Sequence, residues 1–236
     1  MTMTTLDLAP LNKTTKVLIK LSKTKKMPCL SWSLPALSTC PGSRDKRGNL
    51  VPVCQGCYAT TGFYQMKAAK DVREHNRKDW MRADWWTDMV DALEGEEYFR
   101  WFDSGDVYSE TLAHRIFLVM QATPNTKHWL PTRSYKVPRI KRWLTKMKRL
   151  PNVMVRHSAD RINYFNKKLH GSMVIDKSSL TYLGFEGTRG WGITVYECPA
   201  YIQNGECRDC RACWDKRIRV IGYPAHGQKM ASVLTK

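Results

Sequence analysis

No apolar run in the 236 residues approaches the roughly 20 needed to cross a bilayer, which excludes a helical membrane span. The N-terminus carries Lys13, Lys16 and Lys20 but lacks the apolar core of a secretory signal, so a cytoplasmic location is expected. Acid is scarce too. With 21 Asp and Glu against 39 Lys and Arg, the formal charge is +18, enough to attract polyanions, and DNA or RNA is the natural partner. Hydrophobic residues at 42% and charged residues at 25% exclude a disordered or fibrous chain. The length suits one α/β domain spanning residues 1–236.

What the chain has in quantity is cysteine, eight in all. In a reducing compartment these read as metal ligands or redox groups and not as a disulfide framework.

Residues 1–26 form a basic, polar arm with a short strand expected at Val17–Ile19. From 27 to 62 the chain is dense in Pro, Gly, Ser and Cys, an irregular loop that needs something other than an apolar core to hold it. A metal supplies that. The β/α core follows over 63–197. Residues 65–93 have helical spacing, as one helix or two, with Met66, Ala69, Val72, Trp85, Met89 and Leu93 on the apolar face. Tyr98–Phe102 reads as a buried strand, and Ser109 caps a helix carrying Leu112, Ile116, Val119 and Met120 that Pro124 stops. A strand at His128–Leu130, a helix opened by Pro138 with Ile140, Trp143, Leu144 and Met147, and a strand at Asn152–Val155 repeat the alternation. Short strands are expected at Met173–Ile175 and Ile193–Tyr196, and residues 198–236 make a C-terminal Cys cluster and tail. Strand–helix–strand units predict an α/β fold with a parallel sheet, as a partial or complete barrel with Cys-rich metal-binding loops.

Working residues in such folds lie beyond the C-terminal strand ends. Here those ends read Asp103-Ser104-Gly105-Asp106, Pro131-Thr132-Arg133, Arg156-His157-Ser158-Ala159-Asp160 and Glu197-Cys198-Pro199. His157 and Asp160, with His128 opening a neighbouring strand, are candidates for acid–base work, against the alternative of hydrogen-bonded structural residues. Arg133 and Arg156 end adjacent strands and are candidates for a joint clamp on phosphate or carboxylate. The tryptophans, including Trp80, Trp85 and Trp86, are read as core in preference to base-stacking platforms. The run Arg133, Lys136, Arg139, Lys141, Arg142, Lys146, Lys148 and Arg149 contains no acid and suits either phosphate contact or a solvated helix face.

The cysteines form two groups. Cys198, Cys207, Cys210 and Cys213 are spaced C-x8-C-x2-C-x2-C, a ferredoxin-like pattern that favours an iron–sulfur cluster over zinc, with Arg208 and Arg211 helping to keep thiolates ionised. Upstream stand Cys40, Cys54 and Cys57, with Cys29 before them. Either Cys29 joins the three in a closed four-thiolate site, or the three hold a four-iron, four-sulfur cluster whose fourth iron is open to a ligand.

The segments Met27-Pro-Cys-Leu-Ser-Trp-Ser-Leu-Pro-Ala, Val53-Cys-Gln-Gly-Cys-Tyr-Ala, Phe99-Arg-Trp-Phe-Asp-Ser-Gly-Asp, His128-Trp-Leu-Pro-Thr-Arg and Cys210-Arg-Ala-Cys-Trp-Asp resemble the gene product 88 group of phage and plasmid proteins over most of the chain. That resemblance implies a viral protein working in the host cytoplasm and carries no established reaction. A more distant likeness is to radical S-adenosylmethionine proteins. It implies that Cys54-x2-Cys57-Tyr58 ends a cluster-binding loop, that Ser104, Gly105 and Asp106 hold the methionine amino group, and that the C-terminal cysteines carry an auxiliary cluster. The chain departs from that pattern in placing thirteen residues between Cys40 and Cys54, where three is usual, and Asp in place of Glu.

The resulting expectation is an iron–sulfur protein of phage type, a radical enzyme acting on nucleic acid or nucleotide with S-adenosylmethionine. Its rival is a non-catalytic nucleic-acid-binding protein with structural zinc or iron–sulfur centres.

Overall fold

The computed structural model describes residues 19–165, 169–176 and 195–235. Most of the expected N-terminal arm, including Val17, lies outside them, as do Ile193 and Thr194 of the last expected strand. Among the described residues one sheet organises the chain. β1 (Ser22–Lys23) pairs antiparallel with β2 (Leu30–Trp32), and every later neighbour is parallel. The other strands are β3 (Tyr98–Trp101), β4 (Lys127–Thr132), β5 (Val153–Ser158), β6 (Gly171–Ile175), β7 (Val195–Glu197) and β8 (Val220–Pro224). Their order is β1-β2-β3-β4-β5-β6-β8-β7.

The α/β class and parallel sheet agree with the sequence reading. A complete barrel does not: β1 occupies the outer edge of β2, β7 stands at the far edge, and among the described residues no pairing joins them. A second correction concerns the expected tail, which contains β8 and the helix Gln228–Leu234. Gly222 and Pro224 make this segment read as loop. Yet β8 lies between β6 and β7, and a Cβ on Gly222 would run into the end of the Ile175 side chain, so glycine lets the neighbouring side chains pack close there. Leu30–Trp32 likewise sits inside the stretch read as irregular.

The helices are α1 (Pro52–Gln55), α2 (Lys67–Asp79), α3 (Trp85–Ala92), α4 (Glu110–Ala122), α5 (Pro138–Arg149) and α6 (Gln228–Leu234). The single helical pattern over 65–93 is thus two helices, broken at 80–84. α4 begins where expected, the Ser109 hydroxyl accepting from Leu112 N at 3.0 Å, and α5 begins at Pro138.

Side chains alternate across the strands and divide the sheet into two unlike faces. Trp32, Phe99, Trp101, Leu130, Val153 and Val155 pack with Trp85, Met89, Leu112, Ile116, Ile140 and Leu144 of the helices in the main core. Each such side chain contributes about 1.5–3 kcal/mol when buried. The opposite face carries Tyr98, Arg100, Trp129 and Arg156, and against it lies the cysteine-bearing segment that follows β7.

Candidate functional site

Three loops meet at the C-terminal ends of β3, β4 and β5. Cys40 precedes a 310 turn at Pro41–Ser43, Cys54 lies in α1, and Cys57 follows it. The turn is held by Lys136, whose Nζ donates to Gly42 O at 2.9 Å. α1 is held by Val53 N donating to Asp160 O at 3.2 Å. Cys54 and Cys57 are close enough to Cys40 to act on its thiol, and Cys57 close enough to act on that of Cys54. Burial pushes the Cys40 thiol up, and the Asp106 carboxylate adds to this; burial also raises Cys54, opposed by the Arg133 guanidinium.

Asp106 faces this trio but is engaged within the fold. Its Oδ1 accepts from Thr132 Oγ1 and Val107 N, both at 2.7 Å, and its Oδ2 accepts from Arg133 N at 2.8 Å. Burial raises its carboxyl and these donors hold it down. Ser104 donates its hydroxyl to Leu34 O at 2.8 Å. Gly105 takes φ +76°, and a Cβ there would press on Leu34 and Thr39, the loop leading to Cys40. Ser104, Gly105 and Asp106 therefore stitch the rim together.

Beside the trio is a cavity of ≈ 330 Å³ lined by Tyr135, His157, Ala159, Asp160, Arg161, Tyr164 and Leu169. His157 stacks on Tyr135 with ring centroids 4.4 Å apart, and its Nε2 lies 2.9 Å from Lys148 Nζ. Burial first, then the Lys148 charge, hold His157 down to about 3, so the ring is neutral. Nε2 accepts from the ammonium, which leaves the proton on Nδ1, a buried nitrogen with no partner among the described residues. Asp160 pairs with Lys136 at 2.5 Å and with Arg133 at 3.6 Å, while its Oδ1 accepts no hydrogen bond. His157 Nδ1 and Asp160 Oδ1 are both buried behind the cavity wall, and Asp160 Oδ1 faces the Arg133 guanidinium.

Two of the named candidates lie elsewhere. His128 is fully buried on the helix side, accepting from Trp101 Nε1 at 3.2 Å and meeting Thr123 Oγ1 at 2.8 Å, and burial pushes it down to about 3. Arg156 does not share a clamp with Arg133. It is fully buried on the opposite face, donating to the carbonyls of Ala212, Cys213 and Asp215 at 2.9–3.0 Å and of Ile218 at 2.9 Å. Arg133 stays at the rim and gives Nε and Nη2 to Ala159 O at 3.1 and 2.7 Å.

The second thiol group lies against that opposite face. Cys198, Cys207, Cys210 and Cys213 line one cavity with Tyr196 and Trp214. Cys210 and Cys213 sulfurs stand 3.5 Å from the hydroxyls of Tyr196 and Tyr223. Cys29 belongs here and not with Cys40, Cys54 and Cys57: it packs with Cys207, Trp129 and Trp214. Burial pushes Cys29 and Cys213 each up to about 12.

Sequence reasoning passed over Arg100. Its guanidinium pairs with Asp103 at 2.7 Å, donates to Tyr58 Oη at 3.2 Å and covers the Trp129 ring at 4.8 Å. Tyr64 also donates to Asp103, at 2.5 Å. This network joins the Cys57–Tyr58 turn to the face holding the second thiol group. The only signal was its place in the resembling segment Phe99-Arg-Trp.

All eight cysteines are free. Among the described residues, no three His, Cys, Asp or Glu side chains stand as a ready-made set for one metal ion. The donors are soft thiols, whose chemistry suits iron–sulfur clusters or zinc. No described helix is long and apolar enough to cross a membrane.

Fold and site together define an α/β protein with a mostly parallel sheet and a group of cysteines on each of two sides. The family model described as gene product 88 matches residues 8–216, and the chain belongs to that family. No curated protein and no solved structure matches it.

Proposed function

We propose that this protein is an iron–sulfur enzyme of radical type, in which Cys40, Cys54 and Cys57 hold a four-iron cluster with one iron open to a ligand. The observation that carries the reading is the meeting of three thiols with Asp106, Arg133 and Asp160 at the C-terminal rim of a parallel sheet, where such folds place their chemistry. The departure of Cys29 to the other thiol group leaves the trio one ligand short of a closed site. When bound, the cluster would supply electrons to a co-substrate, for which S-adenosylmethionine is the class this reading implies. The chain's own residues shape the adjoining cavity. Tyr135, His157, Asp160 and Tyr164 line it, a mix of aromatic and polar groups compatible with a nucleobase. α5 borders this cavity through Lys148 and turns exposed basic residues outward, which favours a nucleotide or nucleic-acid substrate. Bringing metal to buried thiols requires their deprotonation, so cluster retention should weaken as pH falls.

A second reading, a nucleic-acid-binding protein with structural zinc or iron–sulfur centres, is favoured by the closure of Asp106 by three donors within the fold. One experiment separates the two. Protein isolated without oxygen is assayed for iron, sulfide and zinc, reduced, and examined by electron paramagnetic resonance with and without S-adenosylmethionine, beside Cys57→Ser. The enzyme reading expects a signal that the additive changes and Cys57→Ser abolishes. Zinc alone, or a spectrum indifferent to the additive, would leave the second reading.

A further inference from the structure

We infer that Cys29 is a ligand of a thiophilic metal centre shared with the C-terminal thiols, so that the metal staples the first parallel strand to the segment after β7. This rests on the reading that the thiols bind metal, but it concerns a site separate from the rim trio.

Cys29 immediately precedes β2 and is 4% exposed. Cys207 is drawn to it by main-chain and side-chain contacts: Cys207 N donates to Lys26 O at 2.9 Å, and its sulfur lies 3.6 Å from the Met27 sulfur. Cys29, Cys207, Trp129 and Trp214 form one cluster, with Cys213 packed against it. Cys207 and Cys213 also line the cavity they share with Cys198 and Cys210, so Cys29 approaches that group from the strand side.

A buried thiol among aromatic rings is ordinarily core packing. Two features set this one apart. It packs with Cys207 and, at the edge of the same cluster, Cys213, so that three thiols converge there. Around the group, two buried N–H donors have no acceptor among the described residues, Trp129 Nε1 on a side chain 4% exposed and Arg100 Nε beside it. A neutral thiol is a poor acceptor, whereas a metal-bound thiolate or sulfide is an anionic one. Such sulfur would satisfy both donors, and the Arg100 charge would offset part of the negative charge.

The test uses full-length protein isolated without oxygen, as wild type, Cys29→Ser, Cys57→Ser, Met27→Leu and Trp129→Phe. Iron, sulfide and zinc per chain are measured, with the rate at which EDTA or bathophenanthroline removes metal. Cys29→Ser should lose metal that Cys57→Ser keeps, or surrender it at least about tenfold faster. Met27→Leu, which alters only a thioether, should match wild type. Trp129→Phe keeps an aromatic ring and removes the N–H, and it should speed removal by about 10-fold or more, which retains a test if Cys29→Ser does not fold. Wild-type metal content and removal rate in both Cys29→Ser and Trp129→Phe would overturn the inference and leave the rim proposal standing. Wild-type protein devoid of metal would overturn both.

Discussion

The two faces of the sheet are held by different forces. On the helix side, α3, α4 and α5 lay apolar stripes over Trp32, Phe99, Trp101, Leu130 and Val155, and the layer closes by shape and burial. Among the described residues the other side has no helix layer. The segment from Cys198 to Arg219 is fastened there by the Arg156 guanidinium, by aromatic edges such as Trp129–Trp214 at 5.5 Å, and by thiols. A face of the first kind needs only the right spacing of apolar residues. A face of the second kind depends on a few polar anchors, so single changes there should be more damaging and should register in metal content.

That comparison is broken most directly at Arg156. Arg156→Met leaves the carbonyls of Ala212, Cys213, Asp215 and Ile218 buried without their donor, and it should cost about 3–5 kcal/mol in urea unfolding. If the C-terminal thiols hold metal as proposed, that metal should fall with it. Leu144→Ala, a cavity in the helix-side core, should cost about 2–4 kcal/mol while metal per chain stays unchanged. Equal metal loss in both variants would show that the two faces are not independently held.

Acid should weaken the helix-side core by a smaller amount. His128 and His157 are each held near 3 by burial, below the ordinary value of 6.5. Between those values the unfolded chain binds protons that the folded chain refuses. Stability is therefore complete above about pH 6.5 and declines as pH falls toward 3, at up to about 1.4 kcal/mol per pH unit for each ring. At pH 5 the His128 contribution is about 2 kcal/mol, and the less buried His157 contributes less. Melting temperature followed from pH 7.5 to 5 should fall more steeply in wild type than in His128→Gln. Parallel curves would place the acid sensitivity elsewhere.

Most of the helix-side face was legible in the sequence because its rule is periodic. Leu112, Ile116, Val119 and Met120 are buried as their spacing requires, and Ser109 and Pro138 mark the helix starts. The strands Tyr98–Trp101 and Val153–Ser158 appeared for the same reason, each within a few residues of its limits. The opposite face has no period to follow. β8 was hidden by Gly222 and Pro224, residues that ordinarily break strands, although at Gly222 the Ile175 and Val195 side chains of its two parallel neighbours press close to where a Cβ would stand. The packing of Cys29 with Cys207 spans most of the chain, and local spacing only left open whether Cys29 joins its nearer neighbours Cys40, Cys54 and Cys57. Arg156 was read as ending a strand like Arg133, but it lies inside β5, where alternation turns its side chain to the other face, a difference visible only once the strand limits are fixed.

The smallest expected effect on stability, and a separate test of the basic surface, lies on α5. The acid-free run from Arg133 to Arg149 is divided by the fold. Arg133 and Lys136 are committed to Ala159 O, Asp160 and Gly42 O, and Lys148 turns inward to His157. Arg142 is exposed and pairs with Glu110 at 3.1 Å. Arg139, Lys141, Lys146 and Arg149 are exposed on the helix surface, with Lys146 over the Trp143 ring at 4.0 Å. If this surface meets phosphates, changing those four to Gln should lower the slope of log affinity against log salt by about 0.9 per lost contact, up to about 3–4 in all. Folding stability should move by no more than about 0.5 kcal/mol, because none of the four is buried. Lys136→Gln is the counter-test: it removes the same charge but breaks the ties to Asp160 and Gly42, so it should disturb the rim and leave the salt slope nearly intact. The slopes come from fluorescence anisotropy titrations of a labelled single strand and a duplex from 50 to 300 mM salt. A wild-type slope in the fourfold variant would mean that α5 is a solvated helix face and that any polyanion contact lies elsewhere on the chain.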